Sequence, residues 1–377
     1  MAFPRLSRRQ LLAAGLAAPW PALAAVEPAD GGAVLRPRTL QFPRDHGTHN
    51  ATRTEWWYLT GHAQTGDGRT FGFQVTFFRS RVDTARPLAG RLAARQLLFA
   101  HAAITDVRGG QLLHDQRIAR WNGEPPAQRD GGVWASAQDL HVVLRDWFLQ
   151  RLPDGGYLTQ VRGGDLAIEL RARADQPILL QGDAGFSRKG PQPEQASFYV
   201  SHPQLAVQGS LQVRGERFAV RGQAWLDHEW SEALLHPDAV GWDWIGMNLD
   251  DGSSLTAFRL RRADGSALWA GGSWRAATNT RGATAETQTF GPEAVHFVPL
   301  RTWTSPLTQA RYPVEWTVLT PAGRYTVRAL IDAQELDSRQ STGTVYWEGL
   351  SDLLDASGRR VGRGYLEMTG YARRLVL

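Results

Sequence analysis

The chain has 377 residues, a formal net charge of +5 and no cysteine. Without cysteine, disulfide bonds, thiolate metal sites and a cysteine nucleophile are all excluded. Arginine and lysine form no cluster with interleaved aromatic residues, so nucleic acid is not an expected partner.

The first 24 residues have the pattern of an export signal. A basic start is followed by an uncharged stretch that ends in Ala22-Leu-Ala24, a small-x-small cleavage pattern. The segment Ser7-Arg-Arg-Gln-Leu-Leu12 predicts the twin-arginine route, and a general export signal with two adjacent arginines is the alternative. No later apolar run is long enough to span a bilayer. We therefore expect a periplasmic or secreted protein that is not an integral membrane protein.

Short runs of alternating apolar and polar residues follow, separated by Gly, Asp and Pro. This period of two is typical of strands, and we find no convincing long amphipathic helix. The predicted strands are, in chain order, Thr70–Arg79, Leu97–Thr105, Leu140–Leu144, Leu166–Leu170, Leu205–Val213, Phe218–Leu226, Ser254–Leu260, Val314–Leu319 and Tyr325–Ile331. The pattern predicts an all-β protein of antiparallel barrels or sandwiches.

A weak internal repeat suggests two related halves. The order Asp45-His46, Trp56-Trp57, Asp67-Gly68 recurs as Asp227-His228, Trp242-Asp-Trp244, Asp251-Gly252. Chance repetition is the alternative, because the gaps between matching elements differ. If the repeat is real, it predicts two β-domains at 36–222 and 223–377.

The densest group of polar and aromatic residues is Asp227-His-Glu-Trp230, followed by Trp242 and Trp244. On a strand, Asp227 and Glu229 share one face while His228 and Trp230 share the other. A carboxyl buried beside aromatic rings has a raised pKa and can act as a general acid, and Trp faces can stabilise a carbocation. The alternative is structural: the carboxyls pair with arginines and the Trp rings fill the core. We expect no metal site, because adjacent residues on opposite faces cannot share an ion.

Other residues are candidates for lining a ligand cavity. Trp56 and Tyr58 face one way on a predicted strand, with Trp57 on the other face, and each Trp brings a large apolar surface. The remaining candidates are polar residues in otherwise apolar strands, namely His101, Tyr199, Ser201, Tyr346 and Glu348. Each is equally explained as a structural hydrogen-bonding group. The signatures of serine hydrolases, zincins and nucleotide-binding enzymes are missing from the sequence.

An ordered set of motifs resembles the lipocalin-like superfamily that includes AttH-type exported proteins, also called predicted secreted hydrolases, and carotenoid 1,2-hydratases (hydroxyneurosporene synthases). The resemblance covers about Phe42 to Leu377. Its motifs are Glu55-Trp-Trp-Tyr-Leu-Thr-Gly61, Phe99-Ala-His-Ala-Ala-Ile-Thr-Asp106, Trp225-Leu-Asp-His-Glu-Trp230, Gly241-Trp-Asp-Trp244 and Gly364-Tyr-Leu-Glu-Met-Thr-Gly-Tyr371. It implies two tandem lipocalin-like antiparallel β-barrels.

The resemblance implies a site and several functions. In the hydratases a His-x-Trp motif lies in the active cavity, and His228-Glu-Trp230 matches it. The next strand, Leu255–Arg262, lacks the Tyr and acid that the hydratases carry, so Glu229 or Asp243 would have to substitute. This departure favours the AttH-type branch.

We therefore expect a protein that binds a hydrophobic ligand, lipid-like or polyene, without a cofactor, and that serves as an accessory to an ABC-type exporter. A hydratase or isomerase acting on an isoprenoid-like alkene at Asp227–Trp230 is the first alternative. A secreted hydrolase is the second.

Overall fold

The structure, a computed structural model, describes residues 34–88, 90, 92–125, 132–233, 235–278 and 285–375. The predicted signal at 1–24 lies outside these residues. The described residues form strands and three short 3-10 turns, at Arg44–His46, Asp83–Ala85 and Pro292–Ala294, with no α-helix among them. No helix in this part of the chain is long and apolar enough to cross a membrane. The all-β prediction is confirmed.

The first sheet comprises thirteen antiparallel strands. They are β1 (Thr54–Gln64), β2 (Thr70–Arg81), β3 (Gln96–Asp106), β4 (Gln111–Trp121), β5 (Val133–Ala135), β6 (His141–Leu144), β7 (Trp147–Arg151), β8 (Tyr157–Arg162), β9 (Leu166–Arg173), β10 (Leu179–Leu180), β11 (Phe186–Arg188), β12 (Ala196–Val213) and β13 (Glu216–Ser231). The strand order is β4-β3-β2-β1-β13-β12-β9-β8-β7-β6-β5, with β10 and β11 paired to β12. Because the terminal strands β4 and β5 approach each other, the sheet forms a nearly closed barrel.

The second sheet contains ten strands. They are β14 (Gly241–Leu249), β15 (Ser254–Arg261), β16 (Ala267–Arg275), β17 (Thr287–Phe290), β18 (His296–Pro299), β21 (Glu315–Thr320), β22 (Gly323–Ala329), β23 (Glu335–Ser338), β24 (Thr344–Leu354) and β25 (Arg360–Met368), while β19 (Thr302–Thr304) pairs with β20 (Arg311–Pro313) alone. The order along the sheet is β17-β16-β15-β14-β25-β24-β22-β21-β18, with β23 paired to β24. The architecture is lipocalin-like, as the sequence predicts.

Alternation along each strand divides the apolar residues into three layers. One cluster, which includes Trp57 and Phe73, packs against the inner face of the first sheet. A second, which includes Trp316 and Trp347, packs against the inner face of the second sheet. A third cluster with Tyr58 draws residues from both sheets and lies between them. The interiors of both sheets are therefore filled by side chains, and the two sheets meet through their outer faces, with β1 against β25 and β13 against β14.

Close contacts join the two sheets. A Cβ at Gly72 on β2 would lie 2.7 Å from the Tyr365 hydroxyl and 3.0 Å from Cβ of Leu350, both in the second sheet. A β-bulge in β12 turns Gln204 toward the second sheet, where its backbone N–H donates to Asn248 Oδ1 at 2.8 Å. Contacts of this kind make the described residues a single compact unit.

Every predicted strand overlaps an observed one; the run Thr70–Arg79, for example, lies within β2. The domain boundary at 222/223 remains a prediction. It falls inside β13, whose ladder with β1 continues from Arg221 to Ser231, so Ala224–Ser231 belongs to the first sheet. The second sheet begins at Gly241.

Candidate functional site

A cavity of about 410 Å³ lies between the outer faces of the two sheets. Strands β1, β2, β3, β12 and β13 contribute one wall, and β14, β15, β24 and β25 contribute the other. Its aromatic lining consists of Trp56, Tyr58, Phe78, Phe99, Tyr199, Trp242, Trp244, Phe258 and Tyr346. Side chains fill the interiors of both sheets, so this cavity lies outside those interiors.

Asp227 on β13 is a carboxyl of this cavity on which three hydrogen bonds converge. The Tyr199 hydroxyl donates to Oδ2 at 2.7 Å, while Ser201 Oγ and Trp225 Nε1 each donate to Oδ1 at 2.6 Å. Burial raises the pKa of Asp227 to about 7, although these three donors favour the ionised form. Near neutral pH the side chain can therefore both give and take a proton, as a general acid and base must.

Glu229 is held differently, although it shares a face of β13 with Asp227. Lys189 Nζ lies 3.0 Å from its Oε1, and Ser197 donates to the same oxygen. The ammonium also lies 4.5 Å from the ring centre of Tyr199 and 4.1 Å from that of Phe258. Glu229 is thus half of a buried ion pair that forms one polar end of the cavity.

Glu348 and Glu367 project from neighbouring strands of the second sheet. Gln74 Nε2 donates to Glu348 Oε2 at 2.5 Å across the cavity, and Trp242 Nε1 donates to Glu367 Oε2 at 3.0 Å. Burial raises the pKa of Glu348 well above its ordinary value, and the charge of Glu367 adds to the effect. Burial likewise raises the pKa of Glu367 to about 7. The cavity therefore holds carboxylic acids that keep their protons near neutral pH.

A row of hydrogen bonds runs from the cavity toward the surface. Tyr346 accepts from Gln74 at 3.1 Å, which leaves its own proton for His101 Nδ1 at 2.8 Å. His101 Nε2 then faces Ser341 Oγ at 2.8 Å, and Ser341 donates to Gln116 Oε1 at 2.7 Å. Burial lowers the pKa of His101 to about 3, so its ring is neutral. With this assignment of protons His101 donates to Ser341 and does not activate it as a nucleophile.

His228 lies on the other face of β13, behind the cavity wall. Its Nε2 donates to Glu55 Oε1 at 2.9 Å, and Arg79 Nε donates to Glu55 Oε2 at 2.8 Å. His49 also contacts Glu55, through Nδ1 at 2.8 Å, and its ring stacks on Trp230 with centres 3.7 Å apart. Burial alone would raise the pKa of Glu55, but Arg79 and the two histidines hold it well below its usual range.

Ligand atoms of His49, Glu55 and His228 lie within 4.8 Å of one another, a spacing that a metal ion could use. The hydrogen bonds that Glu55 accepts already account for this spacing, however. Glu55 accepts hydrogen bonds from both rings and from buried Arg79, whose positive charge would oppose a cation. The donor set therefore fits a buried ionic cluster better than a metal centre.

The cavity brings together ten of the sequence candidates: Trp56, Tyr58, His101, Tyr199, Asp227, Glu229, Trp242, Trp244, Tyr346 and Glu348. Five others lie elsewhere. Ser201 lies behind Asp227 as a hydrogen-bond donor. Trp57 and His228 lie on the inner face of the first sheet, with their rings stacked 4.9 Å apart. Trp230 packs with Phe198 and Leu40 outside the cavity. Asp243 lies in the core of the second sheet, where it accepts from Arg259 at 2.7 Å and from Tyr371 at 2.8 Å.

Sequence reasoning missed Lys189 and Glu367, which also line the cavity. Lys189 is the only lysine of the chain, and an isolated residue type gives no spacing from which to infer a site. Glu367 lies in the motif Gly364–Tyr371, two residues after buried Tyr365. That alternation could have placed it on the same face as Tyr365.

Comparisons with known proteins agree with this architecture. A sequence model of the AttH-like family matches residues 33–371. The crystal structure of an AttH protein from Nitrosomonas europaea is 44% identical, with a TM-score of 0.80, covering 90% of this chain and 99% of that one. Kievitone hydratase from Nectria haematococca shares the fold at 14% identity and a TM-score of 0.65, covering 89% and 94%. CghA with Sch210972 shares the fold at 11% identity and a TM-score of 0.51, covering 84% and 88%. No curated protein matches the sequence.

Proposed function

Because the chain belongs to the AttH-like family, we propose that it binds a hydrophobic small molecule or lipid in the cavity between its two sheets. The observation that supports this function is the cavity itself. Its volume of about 410 Å³ lies in the range of small-molecule sites, and aromatic rings with a few polar groups make up its walls.

Binding is tested with N-phenylnaphthylamine, a neutral apolar probe that fluoresces in apolar surroundings. We expect saturable binding to the purified protein. Thr342 lines the cavity, so Thr342→Trp should reduce binding about tenfold, whereas Thr320→Trp in a distant hairpin should leave it unchanged. Mass spectrometry of lipid extracts from natively exported protein then identifies what the cavity carries. Empty protein that also fails to bind the probe would contradict the proposal.

A second function, acid-catalysed addition of water to an alkene, is favoured by the state of Asp227. A carboxylic acid with a pKa of about 7 lies here in an aromatic cavity, so it still carries a proton near neutral pH that it can donate to a carbon–carbon double bond. Kievitone hydratase shares this fold, and its name is consistent with such chemistry.

In this reaction Asp227 gives its proton to one alkene carbon. The positive charge develops on the neighbouring carbon, where the faces of Trp56 and Trp244 stabilise it. Water then adds its oxygen to that carbon and returns a proton to Asp227, so the acid is regenerated and the product is an alcohol. Incubation of isoprenoid alkenes in heavy-oxygen water, with product analysis, tests the reaction. We expect Asp227→Asn to abolish turnover and retain probe binding.

We propose that the protein acts outside the cytoplasm, because residues 1–24 have the pattern of an export signal. Replacement of both Arg8 and Arg9 by Lys should retain the protein in the cytoplasm, as cell fractionation would show. The proposal that an ABC-type exporter is a partner is based on the resemblance alone. Co-purification of membrane components from cross-linked cells tests this proposal.

A further inference from the structure

Three polar atoms of side chains that line the cavity have no hydrogen-bond partner among the described residues. They are the hydroxyl of Tyr58 on β1 and, on β24, Oγ1 of Thr344 and Oε1 of Glu348. Tyr58 and Glu348 are almost fully buried, with 6% and 1% of their surface exposed. Buried polar groups are nearly always paired, because an unpaired one costs about 1–3 kcal/mol. The Tyr58 and Glu348 atoms, which come from opposite walls of the cavity, indicate a place where a ligand supplies the missing partner.

The neighbours of Glu348 determine which of its atoms donates. Gln74 Nε2 donates to Oε2, so that oxygen acts as an acceptor. The proton of the acid form is then on Oε1, the oxygen without a partner. Tyr58 and Glu348 thus offer two O–H donors from opposite walls, and the two groups lie beside each other, since burial and the neighbouring Glu348 carboxyl both raise the pKa of Tyr58. A tyrosine beside a protonated carboxylic acid is a known way to bind an oxygen that carries or develops negative charge.

We propose that Tyr58 and Glu348 form a two-donor subsite for the carbonyl oxygen of a neutral, apolar ligand. This inference rests on the proposed binding function and adds the class of ligand, an apolar ketone or enone. A neutral oxygen is favoured because the two cationic side chains that line the cavity are already paired, Lys189 with Glu229 and Arg79 with Glu55, which leaves no cation for an anionic ligand. An ionic ligand would bring a further, unpaired charge into the apolar site.

A matched pair of probes distinguishes hydrogen bonding at the subsite from apolar binding in the rest of the cavity. Acetylnaphthalene carries a C=O group where isopropenylnaphthalene carries C=CH₂, and the two molecules have the same number of non-hydrogen atoms. Both are titrated as competitors of N-phenylnaphthylamine. We expect Tyr58→Phe to weaken binding of the ketone about tenfold and binding of the alkene less than about twofold. Tyr325→Phe, which removes a hydroxyl outside the cavity, should affect neither.

The carbonyl stretch of bound acetylnaphthalene, recorded by infrared difference spectroscopy, reports the hydrogen bonds directly. We expect a frequency below that of the ketone in hydrocarbon solvent, a rise in Tyr58→Phe, and an intermediate value in Glu348→Gln, which keeps a weaker N–H donor. Since Tyr58→Phe removes an unpartnered hydroxyl, it should fold normally, and unchanged alkene binding confirms that it does.

Two results would overturn the inference while the proposed function stands. One is equal affinity of Tyr58→Phe and the parent for the ketone, with no change in the carbonyl stretch. The other is tighter binding of naphthylethylammonium than of the ketone, which would indicate a site for a cation. If N-phenylnaphthylamine itself does not bind, the proposed function fails as well.

Discussion

Ser201 lies directly opposite Asp227 in the ladder between β12 and β13, and its hydroxyl donates to Oδ1 of that carboxyl at 2.6 Å. The register of two paired strands therefore fixes the direction of the acid. Tyr199, two residues earlier on β12, reaches the other oxygen of the same carboxyl. The orientation of the acid is thus set by two side-chain donors that the pairing of β12 with β13 holds in place, and it does not depend on a ligand.

We expect Asp227→Asn to flatten the pH dependence of stability between about pH 4 and 7. The pKa of Asp227 is about 7 in the folded protein and 3.8 ordinarily, so the folded state binds the proton more tightly. The stabilisation this gives is complete below pH 3.8 and is lost as the pH rises through 7, by at most roughly 4 kcal/mol. Urea unfolding across this range measures it. The exposed Asp165→Asn is the control, and equal slopes for Asp227→Asn and the parent would refute the assignment.

Replacement of Tyr199 by Phe should raise the pKa of Asp227 further. The Tyr199 hydroxyl donates to the carboxylate at 2.7 Å and so favours its ionised form. Loss of one donor of three is expected to move the titration midpoint upward by about one unit. Carbon NMR of labelled aspartate carboxyls measures the midpoint, with Tyr325→Phe as control. A midpoint that stays or falls would show that the Tyr199 hydrogen bond does not stabilise the ionised form.

Arg79 should be essential for stability. It is 1% exposed and donates to Glu55, Thr52 and Gln96, each at 2.8 Å. Arg79→Met leaves the Glu55 carboxylate buried without its main counter-charge, and we expect a loss of about 3–5 kcal/mol in the free energy of unfolding. Arg173, which pairs with Asp175 on the surface, is the matched control, and Arg173→Met should change stability by less than about 1 kcal/mol. Similar losses for both variants would contradict the burial argument.

Gly72→Ala should weaken the contact between the sheets. Its Cβ would lie 2.7 Å from the Tyr365 hydroxyl and 3.0 Å from Leu350 Cβ, which belongs to a packed strand. We expect destabilisation of about 1–3 kcal/mol and weaker binding of N-phenylnaphthylamine. At Gly66 an added Cβ meets nothing within 4 Å, so Gly66→Ala should be neutral or slightly stabilising. An unaffected Gly72→Ala protein would mean that the two sheets can move apart at no cost.

The strands could be predicted because their alternation is local. Phe71, Phe73, Val75 and Phe77 repeat every second residue, and all four are buried on the inner face of β2. Alternation also separated Asp227 and Glu229 correctly from His228 and Trp230. A period of two assigns residues to two groups, but it does not say which group faces a cavity.

That ambiguity explains where the sequence-based site differs from the structure. The residue types of Trp57 and Asp243 do not distinguish them from residues that line a cavity, yet both point into packed interiors. Their neighbours Trp56 and Trp244 line the cavity instead. The choice depends on how the two sheets meet, through contacts such as that between Gly72 and Leu350. Pairs so distant in sequence leave no trace in local periodicity.

The walls of the cavity come from strands at both ends of the chain, from Thr54 on β1 to Thr369 just after β25. Neither sheet alone encloses the space, so a partly folded chain with one sheet complete has no binding site. Occupancy of the cavity is therefore a measure of completed folding. A ligand that fits both walls would also make the two sheets unfold together, as one cooperative unit.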